Sequence, residues 1–253
     1  MPTITSHDDG MPIWVDIMVA TPEQIHELRV FLSALFDWTW QVGAPEMGYY
    51  SQALHDGAPV LGVGSHESSS GQATVYFATS DIDQSTTMAL DLGASMVTPA
   101  MAVMDLGSLA VLRDPTGATY GLWQPQTFQG FGALYEANAP GWFDHTSTDP
   151  GAAAAFYGAI TGHQITEPSP DMKILHNKEQ WFASISHSQT GAPPQWMPIY
   201  VVDSLTKIHE VVPRHGGSIV IKEMPVPGST ISVFSEPVNG TLWTVMAAGE
   251  HAT

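Results

Sequence analysis

Residues 14–19 read WVDIMV and residues 142–147 read WFDHTS, so the chain contains the opening Trp-x-Asp twice. Each opening runs into a capping-type residue and a proline, TP at 21–22 and DP at 149–150. Proline suits the first turn of a helix, because the N–H that it lacks would have no partner there. A pattern that recurs at this distance indicates a duplicated unit. The sequence therefore predicts two copies of one βαβββ module, each beginning with a strand and a helix.

Later landmarks repeat in the same order along both halves. A β-rich stretch, a second amphipathic helix, a glycine that ends this helix and a closing hairpin follow one another. These landmarks lie at 74–79, 81–92, 93–97 and 109–123 in the first half, and at 196–202, 203–215, 216–220 and 231–245 in the second. We expect an α+β fold with a first domain at 12–125, a linker strap at 126–139 and a second domain at 140–248. The aromatic residues of the strap predict that it packs on the domains.

The composition narrows the classes of partner. The 253 residues include 7 Lys and Arg against 25 Asp and Glu, which gives a formal charge of −18. Such a surface repels phosphate backbones and anionic lipids, so we expect neither nucleic acid nor a membrane as partner, whereas a small cation would be attracted. The chain has no cysteine and no apolar run of about 20 residues, which predicts a cytoplasmic protein without disulfides.

The closing hairpin carries a family resemblance. Residues 112–125, LRDPTGATYGLWQP, resemble the last hairpin of vicinal-oxygen-chelate proteins, and DP at 149–150 leading into AFY at 155–157 resembles their first passage from strand to helix. The resemblance implies two glyoxalase/bleomycin-resistance-like domains whose curved sheets enclose a cleft. Because relatives include glyoxalases, dioxygenases, epimerases, fosfomycin-modifying transferases and drug-binding resistance proteins, it does not imply one function.

The resemblance also implies where a metal would be held. Catalytic relatives use His, Gln or Glu on the opening, central and closing strands of a module. The matching positions are Ile17, Thr74 and Gly121 in the first half and His145, Met197 and Trp243 in the second. Only His145 is a plausible ligand, so we expect no metal and no cofactor. A shift of one residue in the register would bring Asp16 and Asp144 into the cleft instead, since neighbours on a strand face opposite ways.

His145 is the predicted catalytic acid or base, and aromatic side chains are the predicted ligand contacts. Tryptophan and tyrosine offer flat apolar surface with one polar group, as planar ligands require. The candidate ligand-binding residues are Trp38, Trp40, Trp142, His145, Trp181, Trp196, Tyr200 and Trp243. Tryptophans at duplicated positions are equally well explained as duplicated core.

Three functions are compatible with this pattern. The first is a metal-free protein that binds or sequesters an aromatic natural product, either cationic or neutral, in antibiotic resistance or as an accessory of secondary-metabolite biosynthesis. The second is an enzyme of lyase, isomerase or oxygenase type that acts on an aromatic or polyketide-like substrate in the same cleft. The third is a housekeeping protein without a dedicated ligand. A tandem chain supplies its own module pairing, so both a monomer and a homodimer fit.

Overall fold

The computed structural model describes residues 6–67, 71–177, 180–188 and 192–248. Two eight-stranded sheets and four α-helices make up this part of the chain. The strands of the first sheet are β1 (Pro12–Val19), β2 (Thr39–Val42), β3 (Ser51–His55), β4 (Ala58–Ser65), β5 (Ala73–Ala78), β6 (Ser95–Val103), β7 (Gly107–Arg113) and β8 (Thr119–Pro125). Helix α1 (Pro22–Phe36) follows β1, and α2 (Ile82–Asp91) follows β5.

The second sheet repeats this plan. Its strands are β9 (Pro140–Ser147), β10 (Gln164–Ser169), β11 (Met172–His176), β12 (Trp181–His187), β13 (Gln195–Val202), β14 (Ser218–Val226), β15 (Ser229–Ser235) and β16 (Leu242–Ala247). Helix α3 (Pro150–Thr161) follows β9, and α4 (Leu205–Arg214) follows β13. No helix in the described ranges is both long and apolar enough to cross a membrane.

Strand order confirms the predicted fold class. The first sheet runs β2-β3-β4-β1-β5-β8-β7-β6, and the second runs β10-β11-β12-β9-β13-β16-β15-β14. Both sheets are curved and open, and each contains two βαβββ modules side by side. The chain therefore has four modules rather than the two inferred from the repeat. The inner duplication is hidden because the two modules of a sheet share topology but differ in detail, with helices of 15 and 10 residues in the first sheet.

The predicted helix starts at 22 and 150 are confirmed, and local hydrogen bonds explain them. The Thr21 hydroxyl accepts the backbone N–H of Gln24, whose side chain in turn accepts the N–H of Thr21, forming a capping box. The Asp149 carboxylate accepts the N–H of Ala152 at 2.9 Å. These caps fix where each opening strand gives way to its helix.

Each sheet has one face covered by helices, here called the helix-covered face, and one open face. The two helix-covered faces meet between the domains, where Phe77 of β5 lies 5.3 Å from Trp196 of β13, measured between ring centroids. Helix α1 packs on α4, and α2 packs on α3. The open faces therefore point away from a core that both domains share.

The segment between the sheets packs on both domains, as predicted. Its Phe131 is fully buried and donates its backbone N–H to the carbonyl of Ile13 at 2.9 Å. The N–H of Asn138 donates to the carbonyl of Val201 at 2.8 Å. The segment is thus tied to the first strand of one sheet and to a central strand of the other. The boundaries 12–125, 126–139 and 140–248 themselves stay predictions.

Candidate functional site on the open faces

Alternation along the opening strands decides which side chains reach the open faces. On β9, the ring of His145 lies 5.3 Å from that of Tyr157 on α3, so His145 points to the helix-covered face. Its neighbour Asp144 consequently points to the open face. On β1 the same alternation buries Ile17 and leaves Asp16 half-buried. The expected orientation of His145 is wrong by one residue, and the two duplicated aspartates point to the open faces.

Asp16 is the polar centre of the first open face. Its carboxylate accepts the indole N–H of Trp14 at 2.9 Å and the hydroxyl of Tyr50. The hydroxyl of Tyr76, on the neighbouring strand β5, is a third donor. The indole N–H of Trp14 also donates to the Tyr50 oxygen at 2.8 Å. Three aromatic side chains therefore surround this carboxylate and satisfy it.

Two glycines make room for the tyrosine rings. A Cβ on Gly62, the strand partner of Asp16, would overlap the Tyr50 hydroxyl. A Cβ on Gly121, the strand partner of Tyr76, would overlap the Tyr76 ring. Because neither glycine has a side chain, both rings lie directly against strand backbone. The floor of the first open face is covered by the protein's own rings.

Asp144 is the polar centre of the second open face. It accepts the hydroxyl of Ser184 at 2.6 Å and the hydroxyl of Ser186 at 3.1 Å. The indole N–H of Trp142 donates to the Ser184 oxygen at 2.8 Å, so a chain of donors runs from the indole through the serine to the carboxylate. Across the strand, the partner of Asp144 is Met197. Here the donors are small neutral hydroxyls.

Strand pairing shows how the two open faces correspond. Asp16 pairs with Gly62 as Asp144 pairs with Ser184, and Trp14 pairs with Tyr76 as Trp142 pairs with Ile199. The corresponding positions, first sheet and then second, are Gly62 and Ser184, Gly64 and Ser186, Tyr76 and Ile199, and Gly121 and Thr244. The same aspartate therefore lies among tyrosines and glycines in one domain and among serines and aliphatic side chains in the other.

Burial dominates the ionisation of both aspartates. It raises the pKa of Asp16 and of Asp144, because a carboxylate removed from water is less stable in its charged form. Hydrogen bonds from Tyr50 and Trp14 oppose this rise at Asp16, and those from Ser184 and Ser186 oppose it at Asp144. None of the ion pairs between described residues involves either aspartate. Neither carboxylate has a permanent counter-charge beside it.

The donor set does not fit a catalytic metal ion. A divalent metal at such a site needs about three protein ligands. The side chains at the metal-bearing strand positions, corrected for register, are Asp16, Thr74 and Gly121 on the first face and Asp144, Met197 and Thr244 on the second. Each set offers one carboxylate and no imidazole. Across the described ranges, no group of three or more His, Cys, Asp or Glu side chains could hold a metal ion.

His145 instead belongs to a buried network between the domains. Its Nε2 donates to Asp114 Oδ2 at 2.9 Å, and the hydroxyl of Tyr157 donates to the same oxygen at 2.8 Å. The second oxygen, Oδ1, accepts the backbone N–H groups of Thr116 and Ala118 at 2.8 and 3.1 Å. Although burial raises the pKa of Asp114, hydrogen bonds led by that from His145 outweigh it and hold this pKa below its ordinary value. With no exposed surface, His145 has no route to a ligand on the open face.

Four more of the predicted ligand contacts also lie in the core between the domains. Trp38, Tyr200 and Trp243 form one aromatic cluster, with ring centroids 5.4 Å apart between Trp38 and Tyr200 and 5.5 Å apart between Tyr200 and Trp243. Trp196 lies 5.0 Å from the ring of His145 in a second cluster. Their large apolar surfaces serve domain packing.

The remaining three predicted contacts lie elsewhere. Trp40 donates its N–H to Ser33 at 2.8 Å and lies under the guanidinium of Arg29. Trp142 is on the second open face, beside Asp144. Trp181 is 55% exposed at the start of β12. Of the eight predicted ligand-binding residues, only Trp142 is thus placed beside a cleft carboxylate.

A cavity of about 270 Å³ is lined largely by side chains of the helix-covered faces, such as Ile17, and neither Asp16 nor Asp144 lines it. It lies at the seam between the domains, and Met197, the strand partner of Asp144, forms part of its wall. Two of the predicted aromatic residues, Trp196 and Trp243, also line it. Its other lining residues are Ile17, Gln72, Ala73, Gln195, Pro198, Asn239, Gly240, Thr241 and Leu242.

The sequence indicated the two aspartates as site residues more strongly than it indicated His145. The Trp-x-Asp opening recurs in both halves, whereas the position of His145 is occupied by Ile17 in the first half. A duplicated polar residue on two buried strands indicates a conserved geometry of the fold. The tyrosines and serines around the aspartates gave no such signal, because they differ between the halves.

Comparison with known proteins relates the whole chain to glyoxalase-like proteins. No family model matches the sequence. A protein of Mycobacterium tuberculosis (strain CDC 1551 / Oshkosh) that is named as a glyoxylase, CFP32, is 25% identical over 261 residues, which cover 97% of this chain and 98% of the relative. The anthracycline biosynthesis protein DauV of Streptomyces sp. (strain C5) is 29% identical over 251 residues, covering 88% of each chain.

Solved structures share the fold. A 2,2',3-trihydroxybiphenyl 1,2-dioxygenase from Sphingomonas wittichii strain RW1 superposes with a TM-score of 0.66 at 12% identity, covering 96% of this chain and 91% of the dioxygenase. An Mn(II)-bound glyoxalase from Novosphingobium aromaticivorans also gives 0.66, at 13% identity, covering 99% of this chain and 84% of the glyoxalase. At these identities the likeness concerns the arrangement of the chain, including its division into two sheets.

Proposed function

Because this chain is a two-domain member of the vicinal-oxygen-chelate superfamily, we propose that it uses the cleft of that fold as a metal-free binding site for an aromatic natural product. It would act as an accessory of secondary-metabolite biosynthesis or as a sequestering resistance protein. The observation that carries this proposal is the replacement of a metal donor set by one half-buried carboxylate on an otherwise weakly polar face.

The surroundings of the carboxylate support an aromatic or irregular apolar ligand. On the second open face, Met197 and Ile199 lie on the strand next to Asp144, and Trp142 adds a half-exposed ring. Methionine adapts to irregular shapes, and tryptophan stacks on planar ones. The named role of the Streptomyces relative in anthracycline biosynthesis supports a polycyclic aromatic compound as ligand.

The proposal is tested by measuring metal content and ligand binding on the same preparation. Elemental analysis of the purified protein is expected to give far less than one equivalent of Fe, Mn, Ni or Zn per chain. Titration with an anthracycline is expected to quench tryptophan fluorescence equally before and after treatment with a chelator. About one equivalent of metal, with quenching that the chelator abolishes, would contradict the proposal.

A second candidate function is metal-free proton transfer on the same class of molecule. The observation that favours it is the raised pKa of Asp144, since a carboxylate of this kind is a better base than an ordinary one. Its test is incubation of a polyketide-derived ketone with the protein in D₂O. Exchange at the carbon next to the carbonyl with wild-type protein, and none with D144N, would favour an enzyme. Exchange no faster than in the absence of protein would support binding without catalysis.

A further inference from the structure

Resting on the proposed binding function, we propose that only the second of the two equivalent open faces takes the ligand, and that Asp144 there pairs with an ammonium group of this ligand. The chain would then bind one aromatic amine per molecule. The two duplicated carboxylates differ in their hydrogen-bond donors and in the aromatic rings that pack beside them, and the charge of the chain favours a cation.

The first carboxylate is already satisfied. Asp16 receives hydrogen bonds from Trp14, Tyr50 and Tyr76, and two of these donors are also bonded to each other. A cation that approached Asp16 would have to displace at least one of these donors and leave it unpaired, which costs free energy in a buried place. The network therefore disfavours an added ligand.

The first open face is also filled. The rings of Tyr50 and Tyr76 occupy the room left by Gly62 and Gly121. From the segment between the domains, Phe128 packs edge-on against Trp14, with ring centroids 4.8 Å apart. A planar ligand would find the floor and one end of this face already covered by protein rings.

The second carboxylate has fewer and smaller donors. Asp144 receives hydrogen bonds from two serine hydroxyls. At the position that corresponds to Tyr76 the second sheet has Ile199, which has no hydroxyl to donate. Asp144 Oδ2 accepts the Ser186 hydroxyl at 3.1 Å, and a carboxylate oxygen can accept two hydrogen bonds, so an added donor need not displace this one.

Charge selects the kind of donor. His145, the neighbour of Asp144 in the sequence, lies on the other face of the sheet, and none of the ion pairs between described residues involves Asp144. The chain carries a formal charge of −18, so its field favours cations over neutral or anionic ligands. An ammonium group supplies up to three N–H donors and the missing counter-charge in one contact.

The test compares an anthracycline that carries an amino sugar with its N-acetylated derivative, which is neutral at the same nitrogen. Isothermal titration calorimetry with the wild-type chain is expected to give one site per chain and about 10- to 100-fold weaker binding of the acetylated compound, as expected for loss of one charge-assisted hydrogen bond. D144N is expected to weaken the amine by a similar factor and to leave the acetylated compound unchanged. D16N is expected to leave both affinities within about twofold.

A second pair of variants covers the case in which D144N fails to fold. Met197→Lys would place an internal ammonium opposite Asp144, and Thr74→Lys would place one opposite Asp16. M197K is expected to abolish the preference for the amine, and T74K to retain it. Equal affinities for the two compounds in the wild-type chain, or equal effects of the paired variants, would overturn the inference while the proposed function stands. If neither compound binds, the proposed function itself fails.

Discussion

Two half-buried carboxylates occupy matching positions in the two sheets, and their neighbours differ. Asp16 is held by three aromatic donors, and Asp144 by two serine hydroxyls. Both have a raised pKa, because burial disfavours the charged form. A group whose pKa is raised by folding stabilises the folded state most at low pH, and this contribution is lost as the pH rises through the raised value.

The raised pKa of Asp144 predicts how the stability of D144N depends on pH. Above about pH 4, the ordinary pKa of an aspartate, the folded wild-type chain must ionise a poorly solvated carboxylate, which the variant need not do. The free energy of unfolding of D144N relative to wild type is therefore expected to increase as the pH is raised from about 4 to 7. Urea denaturation at several pH values measures it. The control is D56N in the exposed turn between β3 and β4, whose relative stability is expected to stay constant. If the stability of D144N relative to wild type decreased as the pH rises, the raised pKa of Asp144 would be contradicted.

A substitution at Gly62 tests whether the Tyr50 ring packs against this part of the strand. G62A would place a methyl group against the Tyr50 hydroxyl, and overpacking of this kind typically costs about 1–3 kcal/mol. The matched control is Gly151→Ala in the first turn of α3, where a Cβ has its nearest neighbour at 3.5 Å. Chemical denaturation is expected to show G62A destabilised and G151A unchanged or slightly stabilised. Equal stabilities would mean that Tyr50 does not lie on Gly62.

Among the elements, the order of strands and helices was predictable, but the faces of the strands were not. The Trp-x-Asp opening, the caps at residues 22 and 150 and the turn at 114–117 follow from local physics that a sequence displays. The face of β9 depends on one residue of register, because side chains alternate with a period of two. Taking His145 as a residue of the open face assigned the wrong set of alternating side chains to that face. Taking the duplicated aspartates instead would have assigned the right set.

The tryptophans illustrate a second limit. Trp38, Trp196 and Trp243 are as large and apolar as ligand contacts usually are, and the sequence alone does not show whether a ring meets a ligand or another domain. In the structure the helix-covered faces of both sheets meet, so these rings pack between the domains. The contact depends on residues that are far apart in the sequence, such as Trp38, whose Nε1 donates to the carbonyl of Asn138, 100 positions away.

The segment between the domains can be tested as an element. F131A removes a fully buried ring that contacts Trp14 and Phe143, one on each opening strand. Loss of such a ring is expected to cost about 3–5 kcal/mol of unfolding free energy. Phe128 is only half-buried, so F128A is expected to cost clearly less in the same urea titration. An F131A cost below that of F128A would mean that the segment is not anchored through Phe131.

At the scale of the whole molecule, the network of Asp114, His145 and Tyr157 joins the domains. Asp114 belongs to the turn before β8, and its two partners belong to the second domain. Its pKa is lowered in the folded protein, so its contribution to stability is present above about pH 4 and is lost as the pH falls through the lowered value. The pH dependence of stability expected from Asp114 is therefore opposite to that expected from Asp16 and Asp144.

D114N is therefore expected to lower the unfolding free energy at pH 7 by about 1.5–3 kcal/mol, because the amide can replace only one of the two carboxylate oxygens that accept hydrogen bonds, and to separate the unfolding of the two domains in calorimetry. The control is E236Q. Glu236 occupies the corresponding turn of the second domain but accepts N–H groups from its own turn, those of Val238, Asn239 and Thr241. E236Q is expected to destabilise without separating the domains. A single unchanged transition for D114N would show that the network does not couple them.

In the proposed complex, the ligand lies on the face of the second sheet that carries Asp144 and not on the face that carries His145. A crystal structure of the chain with an amine-bearing anthracycline tests this most directly. The predicted result is one ligand per chain, with its nitrogen within hydrogen-bonding distance of an oxygen of Asp144 and its rings against Met197 and Trp142. A ligand bound beside Asp16, or a metal ion coordinated by Asp144, would contradict the account.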